Sequence, residues 1–272
     1  MIHKHVRMDR KKILFILKTT FVRFWRDNCF VKAAALSYSA FLTFIPIAIL
    51  LIVSLGMFLR SSDTALSYIL NIIQMYTPAG FDSIKIILEN ILKATRSSTI
   101  IGFTALVWLM LLFFGMVENI INSIWRIQKR RSFLRSKIFG LFLMLLLIVF
   151  LLANFFVSNL ALSWFTKFTW INYNVIYSLN LILSGISFFL INKFVPVTRV
   201  NWIAAFWGSL STVVLAELAR SFYRFYLYGI PHINLLYGSI LTASILIVWL
   251  DYTMLTILFG CELTKTIHQT LR

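Results

Sequence analysis

The stretch KAAALSYSAFLTFIPIAILL, Lys32 to Leu51, opens a charge-free run from Ala33 to Leu59. Such a run exceeds the ~10 residues of a membrane-barrel strand and does not alternate, but it suits the ~20-residue crossing of an α-helix. It is not a plain anchor. Small residues at Ala33–Ala35 let the helix start pack closely beside other spans, and Ser37, Tyr38 and Ser39 add hydroxyls. Pro46 falls near mid-bilayer, where proline removes a backbone donor and bends a helix. Tyr38 stands about two turns before Pro46. We expect the pair on roughly one side of the helix, facing the bundle interior rather than lipid.

The same signal recurs along the 272-residue chain. Further charge-free runs cover Ser97–Val117, Ile138–Thr166, Phe168–Asn192, Val200–Ala216 and Phe225–Leu250, the last two extending past Glu217 and Asp251. Hydrophobic residues make up 60% and charged residues 13%, and mean hydropathy is +0.86. A soluble domain needs about a quarter of its residues charged. The bilayer is therefore the solvent, and only helices or closed barrels satisfy the backbone there. The expected fold is all-α: a polytopic membrane protein with six transmembrane helices in one membrane domain. The spans fall at about 33–59, 97–124, 138–164, 170–192, 201–224 and 237–264.

Lys and Arg positions orient the spans. With the N-terminus inside, cytoplasmic segments hold nine basic residues before Ala33, six between Arg126 and Lys137, then Lys193, Arg199, Lys265 and Arg272. Outer segments hold seven: Arg60, Lys85, Lys93, Arg96, Lys167, Arg220 and Arg224. Both termini are expected in the cytoplasm. The net charge of +17 is then topogenic and draws anionic headgroups to that face. Nucleic-acid binding would need a basic soluble module, and none is evident. Cys29 and Cys261 form no metal spacing and are expected as reduced thiols. The first apolar run is too long for a signal h-region and is expected to stay as a span.

Residues 11–27 place Ile13, Leu14, Leu17, Phe21, Phe24 and Trp25 at helical period between bases, which predicts an amphipathic helix on the cytoplasmic leaflet. Residues 64–95 hold two short apolar stripes broken at Thr77–Gly80, which predict a helical hairpin at the outer surface. Tyr223, Tyr226, Tyr228, Tyr237, Trp164, Trp170 and Tyr173 read as an aromatic belt. Ala204, Gly208, Thr212 and Ala216 repeat every four residues, and Gly238, Ser239, Thr242 and Ala243 open the last span. Both sets are read as close helix packing.

Four ordered blocks resemble the YihY/BrkB family of bacterial inner-membrane proteins. They are LSYSAFLTFIPI (Leu36–Ile47) with Asp27-Asn28 ahead of it, ENIINSIWRIQKRR (Glu118–Arg131), SFFLINKFVPVTRV (Ser187–Val200) and YGSILTASILIVWLDYTMLTILFGCELT (Tyr237–Thr264). The resemblance covers roughly residues 20–268. It implies six spans in the bacterial inner membrane. Members have carried the labels ribonuclease BN and virulence factor BrkB, and are usually described as transporters or envelope-related proteins. Members tend to carry an aromatic or apolar residue where this chain has Asp251.

Nuclease chemistry needs clustered carboxylates for metals, or His and Lys for acid–base work. His3, His5, His232 and His268 are scattered, and no HxH, HExxH or DxD pattern occurs. We expect no enzyme, cofactor or metal site. The candidates are intramembrane polar groups, which are costly and usually face a bundle interior or cavity. Glu118 and Asn122 share a helix face, which Arg126 continues. They either pin the inner end of the second span or serve function. Glu217, Arg220 and Arg224 fall on one stripe. They either close a local ion pair or present cations to an anionic substrate. Asp251 is deepest, with Tyr38 or Thr43 as candidate partners, and Glu262 is expected to be interfacial and solvated. Arg126, Lys129, Arg130 and Arg131 form a basic cytoplasmic loop.

The favoured function is movement or binding of a hydrophobic or anionic envelope molecule, such as a lipid, in a partly polar cavity gated around broken helices. The alternative is a non-transporting scaffold for envelope biogenesis, and a membrane-bound hydrolase ranks third. The expected partners are lipid headgroups, a lipid-like or anionic substrate and a second copy of the chain, with no nucleic acid.

Overall fold

The computed structural model describes residues 10–59, 67, 69–71, 85–86, 99–127, 131–165, 173–228 and 234–271. Among them the long elements are all α-helices: α1 (Arg10–Arg26), α2 (Cys29–Leu59), α3 (Thr99–Ile124), α4 (Phe133–Phe165), α5 (Tyr173–Phe194), α6 (Trp202–Tyr228) and α7 (Asn234–Thr270). Helices α2 to α7 form a ring in chain order, each packed on the next, and α7 closes the ring against α2. The largest seams are α6–α7 and α2–α7, and α1 packs on α7 and, less, on α2.

Five helices are long and apolar enough to cross a membrane, over Val107–Ile124, Phe133–Asn154, Tyr177–Phe194, Trp202–Phe222 and Leu246–Thr270. In α2 the described apolar stretch is shorter, Cys29–Phe44. Helix α4 presents Leu141, Phe142, Leu145 and Val149 outward, which suits a lipid solvent rather than water. Buried hydroxyls bond back to their own helices: Thr43 to Ser39 O, Thr212 to Gly208 O and Thr264 to Gly260 O. They thereby satisfy themselves without a partner helix.

The α6–α7 seam is closest where glycines face each other. A Cβ on Gly208 would sit 1.7 Å from Thr264 Oγ1 and 2.7 Å from Gly260 O. A Cβ on Gly260 would sit 1.9 Å from Thr212 Oγ1 and 2.9 Å from Gly208 O. Two Gly-x-x-x-Thr segments thus interlock, as small residues allow between membrane helices. The described stripe Ala204, Gly208 and Thr212 is buried, and its partner lies at Gly260–Thr264. The side chains of Gly238, Ser239, Thr242 and Ala243 lie outside the described residues.

One expectation needs correction, one is refined and others fall outside the described residues. Helix α1 exposes Ile13, Leu14, Leu17, Phe21 and Trp25, but Ile16 and Phe24 are buried with Thr20 between them. One narrow stripe therefore docks on the bundle while the broader apolar face stays free for lipid. In α2 the buried stripe is Ala33, Leu36, Ser37, Ala40 and Thr43, whereas Tyr38 is 60% exposed. Pro46 is buried. Eight residues advance a helix by about 80° beyond whole turns, so the two occupy different faces. Tyr38 does not face the interior. Pro46 deprives the Leu42 carbonyl of its usual donor, yet α2 runs unbroken through it. The hairpin expected over 64–95 lies outside the described residues apart from fragments, in which Ile69 and Leu70 are buried and Ile86 is exposed. The belt side chains Trp164, Trp170, Tyr173, Tyr223, Tyr226, Tyr228 and Tyr237 also lie outside them.

Candidate functional site: the polar cluster at the basic end

Helix α1 ends at Asp27-Asn28, where Asn28 takes a left-handed φ of 51°, a conformation asparagine tolerates better than most residues. The turn aims the Asp27 carboxylate into the seam between α1 and α7. Asp27 Oδ2 accepts from Lys265 Nζ at 3.1 Å, and Oδ1 accepts from Arg126 Nη2 at 3.1 Å. Burial alone would raise the Asp27 pKa. Hydrogen bonds from Lys265 and Arg126, with the Lys265 charge, outweigh burial and hold the carboxyl well below the usual range.

Glu262 contradicts its sequence reading. It is completely buried, not solvated. Lys265 Nζ stands 3.4 Å from its Oε2, and neither carboxyl oxygen has a hydrogen-bond partner among the described residues. One ammonium therefore lies between two carboxyls, nearer Asp27. Arg23 reaches from α1 to Gln269 Oε1 at 2.6 Å and extends the same seam.

Helix α3 closes in a Schellman turn: Ile127 N donates to Asn122 O and Arg126 N to Ser123 O. Arg126 occupies the left-handed position with φ 54°. It turns away from Glu118 and pairs with Asp27, so it does not continue the Glu118–Asn122 face. Glu118 instead pairs with Arg131 at 2.8 Å and accepts from Ser136 Oγ at 2.8 Å. Arg131 also donates to the Phe194 carbonyl at 3.2 Å and stacks over the Phe139 ring at 3.7 Å. Asn122 Oδ1 accepts from Val197 N at 3.0 Å. This geometry pins the α5–α6 connection to α3 and α4.

That connection is held from α7 as well. Cys261 Sγ donates to Asn192 Oδ1 at 3.1 Å, and Asn201 N donates to His268 Nδ1 at 3.1 Å. Lys193 Nζ donates to the Val200 carbonyl. Asn201 caps α6 by accepting from Ile203 N at 2.9 Å. Cys29 and Cys261 are free and buried. Among the described residues no group of three His, Cys, Asp or Glu converges as a metal site.

The remaining candidates lie elsewhere. Glu217 accepts from Arg220 at 2.6 Å and from Tyr177 Oη at 2.6 Å, so the local ion pair forms and is tied to α5. The side chain of Arg224, and Lys129 and Arg130, lie outside the described residues. Asp251 Oδ1 is buried and has no hydrogen-bond partner among the described residues. It meets neither Tyr38, which faces outward, nor Thr43, which donates within α2.

Parts of the sequence blocks meet at the basic end: Asp27-Asn28 ahead of the first, Glu118, Asn122, Arg126 and Arg131 of the second, Asn192 to Val200 of the third, and Cys261 and Glu262 of the fourth with Lys265 just beyond it. A family model described as Virulence factor BrkB matches residues 20–272. The chain belongs to the BrkB/YihY family. A UPF0761 membrane protein of Cronobacter sakazakii is 28% identical over 270 residues, covering 98% of this chain and 93% of the relative. The UPF0761 membrane protein YihY of Salmonella typhimurium is 30% identical over 198 residues, covering 71% of this chain and 68% of the relative. No solved structure matches the chain. This BrkB/YihY protein is a multi-pass protein of the bacterial inner membrane.

Asp27, Glu262, Lys265 and Arg131 carry more of this cluster than the sequence reading assigned them. In the sequence Lys265 reads only as a topogenic charge. The usable signal was its place three residues after Glu262, a spacing that puts both on one helix face.

Proposed function

We propose that this BrkB/YihY protein moves a hydrophobic or anionic envelope molecule, of which a lipid is the leading case, across or within the inner membrane. Helix α2 is the sixth span, at about 46 Å for its 31 residues, and both termini are cytoplasmic. The observation that supports the reading most is Asp251. A carboxyl oxygen buried without a partner among the described residues, deep in an apolar helix, is retained at a cost, and such residues mark pathways by default. Glu217, with Arg220 and Tyr177 around it, supplies a second polar station nearer the opposite end. The basic end is braced by ion pairs, so movement is confined to the less polar half. A scaffold acting through the basic loop would have to work without Arg131, which is engaged with Glu118, and with an Arg126 that already pairs with Asp27.

The test is reconstitution in liposomes with fluorescent phospholipids and labelled anionic solutes. The protein should accelerate transfer of one class, and Asp251→Asn and Glu217→Gln should slow it without loss of fold. Absence of transfer across a panel of headgroups and solutes overturns the reading.

A further inference from the structure

Glu262 sits inside the ion network at the basic end, yet the network does not serve it. Its side chain is completely buried, and both carboxyl oxygens lack a hydrogen-bond donor among the described residues. The Lys265 ammonium stands 3.4 Å from Oε2 but is bonded to Asp27 Oδ2 at 3.1 Å. Asp27 also has Arg126, whereas Glu262 has no second cation within ion-pair reach among the described residues. Arg126 is 59% exposed, so water screens its charge. The desolvated charge is then one cation, Lys265, against two carboxyls, Asp27 and Glu262. Two carboxylates around one dry ammonium would leave a negative charge away from water, and a group so placed takes a proton instead.

The surrounding elements do not supply the missing positive charge. Helix α6 faces α7 there through Ala204, Gly208 and Thr212. Helix α1 brings the buried Ile16, Thr20 and Phe24, and its Arg23 is directed to Thr266 and Gln269. Helix α2 brings Cys29, with Lys32 beyond it in no ion pair to Glu262 among the described residues. Helix α3 sends Arg126 to Asp27. On α7 itself stand the buried Cys261, which donates to Asn192, and His268, whose Nδ1 accepts from Asn201 N.

We propose that Glu262 is a proton-binding site, and that its proton is what assigns Lys265 to Asp27. With the proton bound, Glu262 is a neutral acid, and the Lys265–Asp27 clasp holds the turn between α1 and α2 on α7. When the O–H bond breaks, the proton leaves past Asp27 toward the water around Arg126. The carboxylate left behind draws Lys265 away from Asp27, and the clasp slackens. The site stands on this cluster alone and holds whether or not the protein transports a solute.

Infrared spectroscopy of the protein in nanodiscs at neutral pH tests it, read at the carbonyl stretch of protonated carboxylic acids. The wild type should show that band, and Glu262→Gln should lose intensity there. Asp27→Asn should lose the same intensity, because Lys265 is then free to serve Glu262. No such band in the wild type, or an equal band in Glu262→Gln, overturns the proposal. Glu262→Gln is a neutral isostere of the protonated acid and should melt at or above the wild-type temperature. A fall as large as that of Asp27→Asn would make Glu262 a charged partner of Lys265 and overturns it too. A nitroxide on Val22→Cys, at an exposed position of α1, reads the clasp. Its mobility should rise in otherwise wild-type protein as pH is raised toward about 9, below the titration of lysine, and should not rise in Glu262→Gln. No rise in the former, or the same rise in both, overturns the clasp.

Discussion

Lys265 and Asp27 stand 238 residues apart and meet at 3.1 Å, with side chains only 3% and 9% exposed. They fasten the turn after α1 to the last helix of the ring. Both charges are desolvated, so removing one leaves the other with a single partner, Arg126 for Asp27 and Glu262 for Lys265. Asp27→Asn and Lys265→Met should each destabilise the protein by about 3–5 kcal/mol. The double variant should recover part of that loss, because the contact between the two is then lost once rather than twice, while Glu262 and Arg126 each lose a neighbour. Thermal unfolding in detergent reads this, and two strictly additive losses would sink the pairing.

The same contact sets a pH dependence. The Asp27 carboxyl is held below its ordinary value in the folded protein, so the unfolded chain takes up the proton first. Its stabilisation is fully present above the unfolded value of about 4 and is lost as pH falls through the lower folded one. Melting temperature should fall on acidification below about pH 4, and less steeply in Asp27→Asn. Parallel curves for the two proteins would show that another carboxyl controls the acid limb.

Helices were legible because charge-free runs longer than a strand leave a chain in lipid no alternative. Pair partners were not. Asp27 and Lys265 become neighbours only when α7 closes on α2 and α1 folds back across it, and no local pattern encodes that closure. Glu262 looked interfacial because it stands near the end of a span. Its burial comes from the surrounding elements, since α1, α2 and α6 all pack against α7. Tyr38 is misplaced for a simpler reason: eight residues are not two whole turns, so Tyr38 does not share the face of Pro46, and the stripe Ala33, Leu36, Ala40 marks the buried side.

Gly208 was legible as a small residue, but its partner Gly260 was not. Gly208→Ala should destabilise by at least the ~1–3 kcal/mol of core overpacking, since the added carbon meets Thr264 and the Gly260 carbonyl at once. Gly260→Ala should behave alike through Thr212. Gly185→Ala, whose Cβ would make an ordinary 3.7 Å contact with Val213, is the internal control. It should be neutral or stabilising by up to about 1 kcal/mol in a helix. Equal effects at all three positions in a detergent melt would mean that the seam is looser than its geometry.

Glu118 and Arg131 distinguish bracing from transport. Arg131 serves the Glu118 carboxylate and the Phe194 carbonyl, and Asn122 holds the Val197 amide. If these bonds brace the α5–α6 connection, Glu118→Gln should cost stability and raise protease sensitivity near Pro196. Arg131→Lys should not restore either, because a lysine point charge cannot reproduce a forked donor. Asn122→Ala should add a loss of about 1–3 kcal/mol from the orphaned amide. In a liposome assay, protein that remains folded should keep its transfer rate after Glu118→Gln and lose it after Asp251→Asn. The opposite order would move the pathway from the middle of α7 to the basic end and assign the ion network a role beyond bracing.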